Sequence, residues 1–190
     1  MEPLQQAVEE AVAVLRDGGI ILYPTDTVWG IGCDATNAEA VEKIYRLKRS
    51  ENKKSMLVLC ASADMVVRYV HKAPGIAFEV EEMATSPLTL ILPGASGVAP
   101  NLIPDEGTLG VRIPDHAFCQ GMLKRLGRPI VSTSANLSGE ATPRDLSEVC
   151  QEIIDGVDYV VDPRFEGKPT RKASSIILFD EAGGFKIIRE

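Results

Sequence analysis

The sequence is short of the residues that build metal centres and redox sites. Of its 190 residues, only two are histidine and four are cysteine. The cysteines are widely spaced along the chain, so no Cys-x-x-Cys pair is available for zinc or for thiol exchange. We therefore predict neither a metal site nor a tightly bound cofactor. We expect the four thiols to be isolated and buried, as is usual in cytoplasmic proteins.

Long apolar runs and an excess of positive charge are also missing. No stretch approaches the ~20 apolar residues of a membrane-spanning helix, and the acidic, amphipathic start of the chain lacks the pattern of a signal peptide. Lysine and arginine number 20 against 27 aspartate and glutamate residues, a formal net charge of −7. This balance argues against overall attraction to nucleic acid or an anionic membrane, but it allows a local basic patch. We expect a cytoplasmic protein.

Apolar residues make up 45% of the chain. This is enough for a hydrophobic core, and the length suits a single domain over residues 1–190. Apolar residues at helical spacing and helix-start signals predict helices over residues 4–15, 37–48, 62–70, 74–83 and 115–126. A capping-box pattern with Pro143 at the first helical position predicts another over residues 143–154. Short β-branched runs predict strands over residues 20–23, 55–60, 88–92, 109–113, 129–132, 159–161, 175–179 and 185–188. Strands alternate with helices and then end the chain, which predicts an α/β fold with an open mixed sheet flanked by helices.

One polar loop lies between two apolar segments. The stretch YPTDTVWGIG, residues 23–32, follows a short buried strand. Its loop presents the hydroxyls of Thr25 and Thr27 and the carboxylate of Asp26 at the end of that strand, where open α/β sheets hold ligands. The two glycines after Trp29 allow a second backbone segment to approach closely. A ligand-binding loop and a purely structural turn fit this stretch about equally well.

Cations and hydroxyl groups collect at the ends of the other apolar segments. The predicted helix over residues 37–48 ends in more positive side chains than its dipole calls for, and the irregular segment 93–107 predicts a loop over a site. The candidate residues are Thr25, Thr27, Lys48, Arg49, Arg112, Ser134, Asn136, Ser174 and Ser175. Such groups suit an anionic ligand rich in oxygen, above all a nucleoside triphosphate. The alternative is that each is an ordinary loop cap or surface cation.

Five segments in order carry a family resemblance. YPTDTVWGIGCDA, the helix ending in Lys48, SPLTLILPG, TLGVRIP and STSANLSG resemble the YrdC-like family of threonylcarbamoyl-AMP synthases over about residues 19–143, with a weaker match through SSIILFD and the final Ile187-Ile188-Arg189. The resemblance implies a twisted mixed sheet around a concave basic cleft. It implies synthesis of threonylcarbamoyl-AMP and pyrophosphate from L-threonine, bicarbonate or CO2 and ATP, with Mg²⁺ arriving with ATP. The product would pass to tRNA-modifying proteins that make threonylcarbamoyladenosine.

The resemblance also implies roles for individual residues. Lys48 and Arg112 would be the catalytic cations that meet carbamate and phosphates. Thr25 and Thr27 would hold the substrate threonine, with Tyr23 nearby. The residues implied on the nucleotide side are Lys48, Arg49, Arg112, Ser134, Asn136, Ser174 and Arg189.

Two departures from the family pattern stand out. The family usually has Lys-x-Arg at the helix end, whereas Lys48 is followed here by Arg49 and Ser50. A shift of one residue rotates a side chain by roughly 100° about a helix, so either Arg49 reaches the cleft or its role passes to Arg46 or Lys53. The family's following Pro-Leu-x-Val-His is SMLVL here, which removes a histidine near the substrate.

Two other functions remain open at this point. A double-stranded RNA or tRNA-binding module could use the same cleft without chemistry, although the net charge of −7 opposes it. A carbamoyl-transfer domain, like those of hydrogenase-maturation carbamoyltransferases, would be expected beside zinc-finger and acylphosphatase-like segments that this sequence lacks.

Overall fold

The computed structural model describes residues 2–50 and 56–190, in which helices pack on both faces of one large sheet. The helices are α1 (Pro3–Arg16), α2 (Ala38–Leu47), α3 (Ala63–Val66), α4 (Gly75–Met83), α5 (Ala117–Leu126) and α6 (Gln151–Gly156). The strands are β1 (Ile21–Tyr23), β2 (Gly30–Gly32), β3 (Leu57–Leu59), β4 (Leu88–Pro93), β5 (Thr108–Arg112), β6 (Ile130–Ser134), β7 (Tyr159–Val160), β8 (Ser175–Phe179) and β9 (Phe185–Arg189). Within the described ranges, no helix is both long enough and apolar enough to cross a bilayer.

The sheet mixes parallel and antiparallel pairs in the order β7-β1-β2-β6-β3-β5-β4-β8-β9. The pairs β1–β7, β3–β5 and β4–β8 are parallel, and the other pairs are antiparallel. The register sets Gly30 opposite Ser134 and Leu59 opposite Arg112. Residues distant in sequence therefore meet near the middle of the sheet, and the predicted open mixed sheet flanked by helices is confirmed.

Each face of the sheet carries its own hydrophobic cluster, because successive strand residues point to opposite sides. In β1, Ile21 and Tyr23 pack with α1 and α5, whereas Leu22 packs on the other face with α2. The apolar stripe of α1 that the sequence predicts is buried against α5, and the two helices cover that face together. The opposite cluster surrounds the buried indole of Trp29.

Gly32 shows why glycines follow Trp29. A Cβ atom at this position would lie 2.5 Å from the carbonyl oxygen of Val131 and 2.7 Å from the ring of Tyr23. These distances are shorter than any tolerated contact, so only glycine lets β2 lie against β6 here. The predicted close approach of a second backbone segment is confirmed.

The predicted helix over residues 143–154 is wrong. Residues 143–145 are not helical, a short 3-10 turn follows at Leu146–Glu148, and α6 begins only at Gln151. Asp145 accepts hydrogen bonds from the backbone N–H and the hydroxyl of Ser147, at 2.9 and 2.6 Å. This local side-chain turn competes with the helical hydrogen bonds that the pattern suggested.

The predicted helix over residues 62–70 is shorter than expected and consists of α3 alone. After α3 the chain leaves the helix because it pairs with a distant segment. Val70 forms a β-bridge with Ala95, and the backbone N–H of His71 donates to the carbonyl of Gly94 at 2.9 Å. Tertiary pairing therefore overrides the local helical pattern.

Candidate active site

A cleft of about 710 Å³ opens over the sheet beside the end of α2. Within residues 2–50 and 56–190, four cations line it, namely Lys48, Arg49, Arg112 and Arg189. The hydroxyl side chains that line it are those of Thr27, Ser50, Ser132, Thr133, Ser134, Ser138, Thr142 and Ser174. Among the described residues, no carboxylate lines the cleft. Cations and hydroxyl groups together suit an anion with many oxygen atoms.

Lys48 joins the end of α2 to the loop after β6. Its ammonium group donates to the backbone carbonyl of Ser134 and, at 2.7 Å, to that of Asn136. Its own carbonyl accepts from the N–H of Ser138 at 2.9 Å. Burial lowers the pKa of Lys48 from 10.5 to about 8. Because an ammonium group has three N–H donors, one remains for a ligand.

Arg49 follows Lys48 in a left-handed backbone conformation, with φ of 53°. The backbone N–H of Ser50 donates to the carbonyl of Tyr45 at 2.9 Å, which closes the last turn of α2. This turn directs the Arg49 side chain to both carboxylate oxygens of Glu152, at 2.8 Å. Arg49 therefore lines the cleft while its charge is paired with a carboxylate.

Arg46 and Lys53 are the other two residues that could take the role of the displaced arginine. Arg46 is an exposed side chain that pairs with Glu42 at 3.5 Å, and it does not line the cleft. Lys53 lies outside the described residues, as does the predicted strand start at Ser55. Within the described part of this segment, Arg49 is thus the arginine that borders the cleft.

Arg112 ends β5 and lines the cleft, and its charge is paired with the carboxylate of Asp26, which does not line the cleft. Nη1 donates to Oδ1 of Asp26, and Nη2 donates to the hydroxyl of Thr27 at 3.3 Å. The side chain is 3% exposed. Arg112 therefore lines the cleft and is withdrawn from bulk solvent.

Two of the residues predicted to hold threonine lie behind the cleft. The hydroxyl of Thr25 donates to the carbonyl of Val28 at 2.8 Å and accepts from the N–H of Thr27 at 3.0 Å. Tyr23 is fully buried, its hydroxyl donates to the carbonyl of Val131 at 3.2 Å, and burial raises its pKa above the usual value. These contacts shape the polar loop, and among the three residues only Thr27 lines the cleft.

Ser134 and Asn136 both line the cleft. The Asn136 amide nitrogen donates to the carbonyls of Leu137 and Glu140, at 3.0 and 3.1 Å. Its side-chain oxygen is buried without a hydrogen-bond partner. The amide therefore fixes the loop over residues 137–140, whose neighbouring carbonyls hold Lys48.

Ser174 and Arg189 form the far wall of the cleft. The Ser174 hydroxyl lies 2.7 Å from the hydroxyl of Thr89 on β4. Arg189 donates from Nε and Nη2 to the Ser174 carbonyl, at 2.9 and 2.7 Å. Thr89 thus orients Ser174, and the remaining N–H groups of Arg189 face away from that carbonyl. Ser175, the next residue, does not line the cleft.

Several residues that support the site were not among the predicted site residues. Glu166 accepts from the indole N–H of Trp29 at 2.8 Å, and the backbone N–H groups of Thr170 and Arg171 donate to carbonyls of the polar loop at 2.9 Å. A buried tryptophan needs an acceptor for its N–H. A buried Trp29 therefore predicts a hydrogen-bond acceptor for its N–H. It does not identify that acceptor as Glu166, which is 137 residues away in the sequence.

The segment over residues 93–107 does not cover the cleft, contrary to the expectation from sequence. The N–H groups of Gly94 and Ala95 donate to the carbonyl of Gly107, which closes the segment on itself. Its middle packs on α2, where the Tyr45 hydroxyl donates to the carbonyl of Asn101 at 3.0 Å. Its irregular composition therefore reflects docking against a helix.

The comparisons with known proteins agree with this architecture. The family model Sua5_yciO_yrdC, described as "Telomere recombination", matches residues 13–190. A threonylcarbamoyl-AMP synthase of Idiomarina loihiensis is 37% identical over 158 residues, which cover 80% of this chain and 85% of the relative. One of Bos taurus is 35% identical over 191 residues, which cover 97% of this chain and 67% of the relative.

Solved structures show the same fold. E. coli YciO superposes with a TM-score of 0.84 at 27% identity, over 100% of this chain and 91% of that one. P. abyssi Sua5 complexed with L-threonine gives a TM-score of 0.84 at 25% identity, over 92% of this chain. The chain spans about half the length of P. abyssi Sua5, at 51%. The resemblance in the sequence motifs is confirmed, and the chain belongs to the Sua5/YciO/YrdC family.

Proposed function

We propose that the chain is a threonylcarbamoyl-AMP synthase, which converts L-threonine, bicarbonate or CO2 and ATP to threonylcarbamoyl-AMP and pyrophosphate. The observation that carries this proposal is a cleft with four cations and no carboxylate in its described lining, in a chain of net charge −7. The shared name of the curated relatives and the L-threonine complex of P. abyssi Sua5 support this activity over an RNA-binding role.

The chemistry brings two anions together. The amine of threonine attacks the carbon of CO2 and loses a proton, which gives a carbamate. A carbamate oxygen then attacks the α-phosphorus of ATP, and the bond from that phosphorus to the pyrophosphate oxygen breaks. The reaction needs no protein nucleophile. It needs fixed positive charge where the anions meet and where charge builds on the leaving group, which Lys48 and Arg112 can supply.

Threonine would lie at the Arg112 end of the cleft. Its carboxylate can accept from the guanidinium N–H groups that Asp26 and Thr27 leave available. The Thr27 hydroxyl borders this end of the cleft, and Tyr23 and Thr25 would act from behind by shaping the loop.

ATP would lie along the rest of the cleft and would bring Mg²⁺ with it as part of the substrate. The residues proposed for its phosphates and nucleoside are Lys48, Arg49, Ser134, Asn136, Ser174 and Arg189. Because the Asn136 amide nitrogen is already committed to the loop carbonyls, we assign Asn136 to shaping the loop under the nucleotide. The product would pass to tRNA-modifying proteins, which would place the reaction in the cytoplasm.

The test is pyrophosphate release from ATP and bicarbonate, with L-threonine present and then omitted. We expect release only with threonine, and a loss of about 100-fold or more in Lys48→Ala, because removing one preorganised donor costs about that much. Lys43→Ala is the matched control. Lys43 lies on the same helix, donates to the carbonyl of Gly18 at 2.9 Å and does not line the cleft, so its loss should leave the rate unchanged.

Two results would contradict the proposal. One is release that does not depend on threonine, and the other is a wild-type rate in folded Lys48→Ala. Binding of duplex RNA by a protein that releases no pyrophosphate would instead favour the RNA-binding alternative, and that binding should weaken as salt rises.

A further inference from the structure

Arg112 is a buried cation with a fixed carboxylate partner. Its side chain is 3% exposed and that of Asp26 is 11% exposed. Oδ1 of Asp26 accepts from the guanidinium group, and Oδ2 accepts from the backbone N–H of Asp115 at 3.1 Å, where the chain approaches α5. Both carboxylate oxygens are thus engaged, and Asp26 is anchored independently of Arg112.

The two partners of this pair face different cavities. Arg112 lines the 710 Å³ cleft, whereas Asp26 lines a separate cavity of about 290 Å³ together with Asp115 and Lys168. The carboxylate therefore lies behind the guanidinium group, away from where a ligand would enter. A buried arginine without a counterion is strongly destabilising, and Asp26 supplies that counterion without taking space in the cleft.

We propose that Asp26 is a positioning residue that fixes the guanidinium group of Arg112 and lowers the affinity of the empty cleft for anions by neutralising that charge. The proposal rests on the proposed function, in which Arg112 meets the carboxylate or carbamate of threonine. A guanidinium group has five N–H donors. Asp26 and Thr27 each take one, which leaves three of the five for a ligand of the cleft that Arg112 lines.

Removing only the charge of Asp26 should separate binding from turnover. In Asp26→Asn the cleft becomes more positive, so a simple anion should bind more tightly. Arg112 then keeps an acceptor but loses its charged partner, so it is held less firmly and can follow the anion. It no longer holds the reacting groups in line, and turnover should fall. A purely structural role for Asp26 predicts a loss of both binding and turnover.

The experiment measures inorganic pyrophosphate binding by calorimetry and threonine-dependent pyrophosphate release by the same proteins. For Asp26→Asn we expect a Kd for pyrophosphate about tenfold lower, or about 1.4 kcal/mol, and a kcat at least tenfold lower. Glu181→Gln is the matched control, because it removes the same charge from an exposed pair with Lys72 outside the cleft. It should change neither quantity by more than about twofold.

An unchanged or weaker pyrophosphate affinity in folded Asp26→Asn would overturn the inference. Should that variant fail to fold, Asp26→Ser keeps a small acceptor for the Asp115 N–H and carries the same expectations. The wild-type protein separates this inference from the proposed function. If it binds pyrophosphate more weakly than Asp26→Asn but shows no threonine-dependent release, the synthase assignment fails and the role of Asp26 toward Arg112 stands.

Discussion

Binding of ATP to this protein should take up a proton, because Lys48 is buried in the empty cleft. Burial lowers the pKa of Lys48 to about 8. Its ammonium group donates to the carbonyl oxygens of Ser134 and Asn136, which carry no charge to offset that burial. A bound phosphate beside the ammonium group favours the charged form and raises that pKa again. The affinity for ATP is then highest below pH 8 and falls as the pH rises through the pKa of the free protein.

The size of the effect follows from this shift. Between pH 7 and pH 9 the protonated fraction of a group with a pKa of about 8 falls from about 0.9 to about 0.1, so the Kd for MgATP should rise about tenfold, or about 1.4 kcal/mol. At pH 8 the binding of each ATP should take up about 0.5 proton.

Calorimetry at pH 8 in two buffers of different ionisation enthalpy measures this proton uptake directly. Lys48→Met should bind ATP more weakly, with no proton uptake at pH 8 and no fall in affinity from pH 7 to pH 9. Lys43→Met, on the same helix but outside the cleft, should behave as the wild type does. Equal proton uptake by folded Lys48→Met and by the wild type would refute the reasoning.

Two further substitutions test the packing and the altered helix end. Gly32→Ala should lower the free energy of unfolding by about 2–3 kcal/mol in urea titrations, because its Cβ would lie 2.5 Å from the Val131 carbonyl oxygen. Gly75→Ala, with open space at its Cβ, should be neutral or stabilising, and equal losses at both sites would contradict the packing argument. Ser50→Arg adds a cation at the cleft and should lower the Kd for ATP by about threefold to tenfold at low salt. An unchanged Kd would show that this position does not reach the nucleotide.

Local sequence signals predicted the elements that carry the site. The apolar stripe of α1, the helix predicted over residues 37–48 and the short buried strand β1 all depend on neighbouring residues, and all three lie where the pattern indicated. The Asn37 side chain accepts from the N–H of Ala40 at 3.0 Å, as a helix cap should. Side-chain types at the ends of the apolar segments then named three of the four cations in the described lining of the cleft, together with Thr27, Ser134, Asn136 and Ser174.

The hydrogen-bond and ion-pair partners within the site could not be predicted, because they depend on how the strands are ordered in the sheet. Arg112 and Asp26 are 86 residues apart, and so are the residues of the Lys48–Ser134 contact. The sequence shows a cation and several acceptors, but only the sheet order decides which acceptor each cation meets. The predicted helix over residues 143–154 failed for a different reason, because a local side-chain turn at Asp145 determined the backbone where the sequence pattern indicated a helix.

The charge that a ligand meets in the cleft depends on how each cation is held and not on the net charge of −7. Arg49 and Arg112 are paired with carboxylates, so each adds little net charge to the empty cleft. Lys48 and Arg189 donate to neutral backbone carbonyls, which leaves their positive charge for an incoming anion. When a cation donates to neutral carbonyl oxygens, its positive charge stays available to an anionic ligand. When it is paired with a carboxylate, most of that charge is already neutralised. Lys48, whose pKa burial lowers to about 8, should dominate the pH dependence of anion binding, while Arg112 orients what has bound.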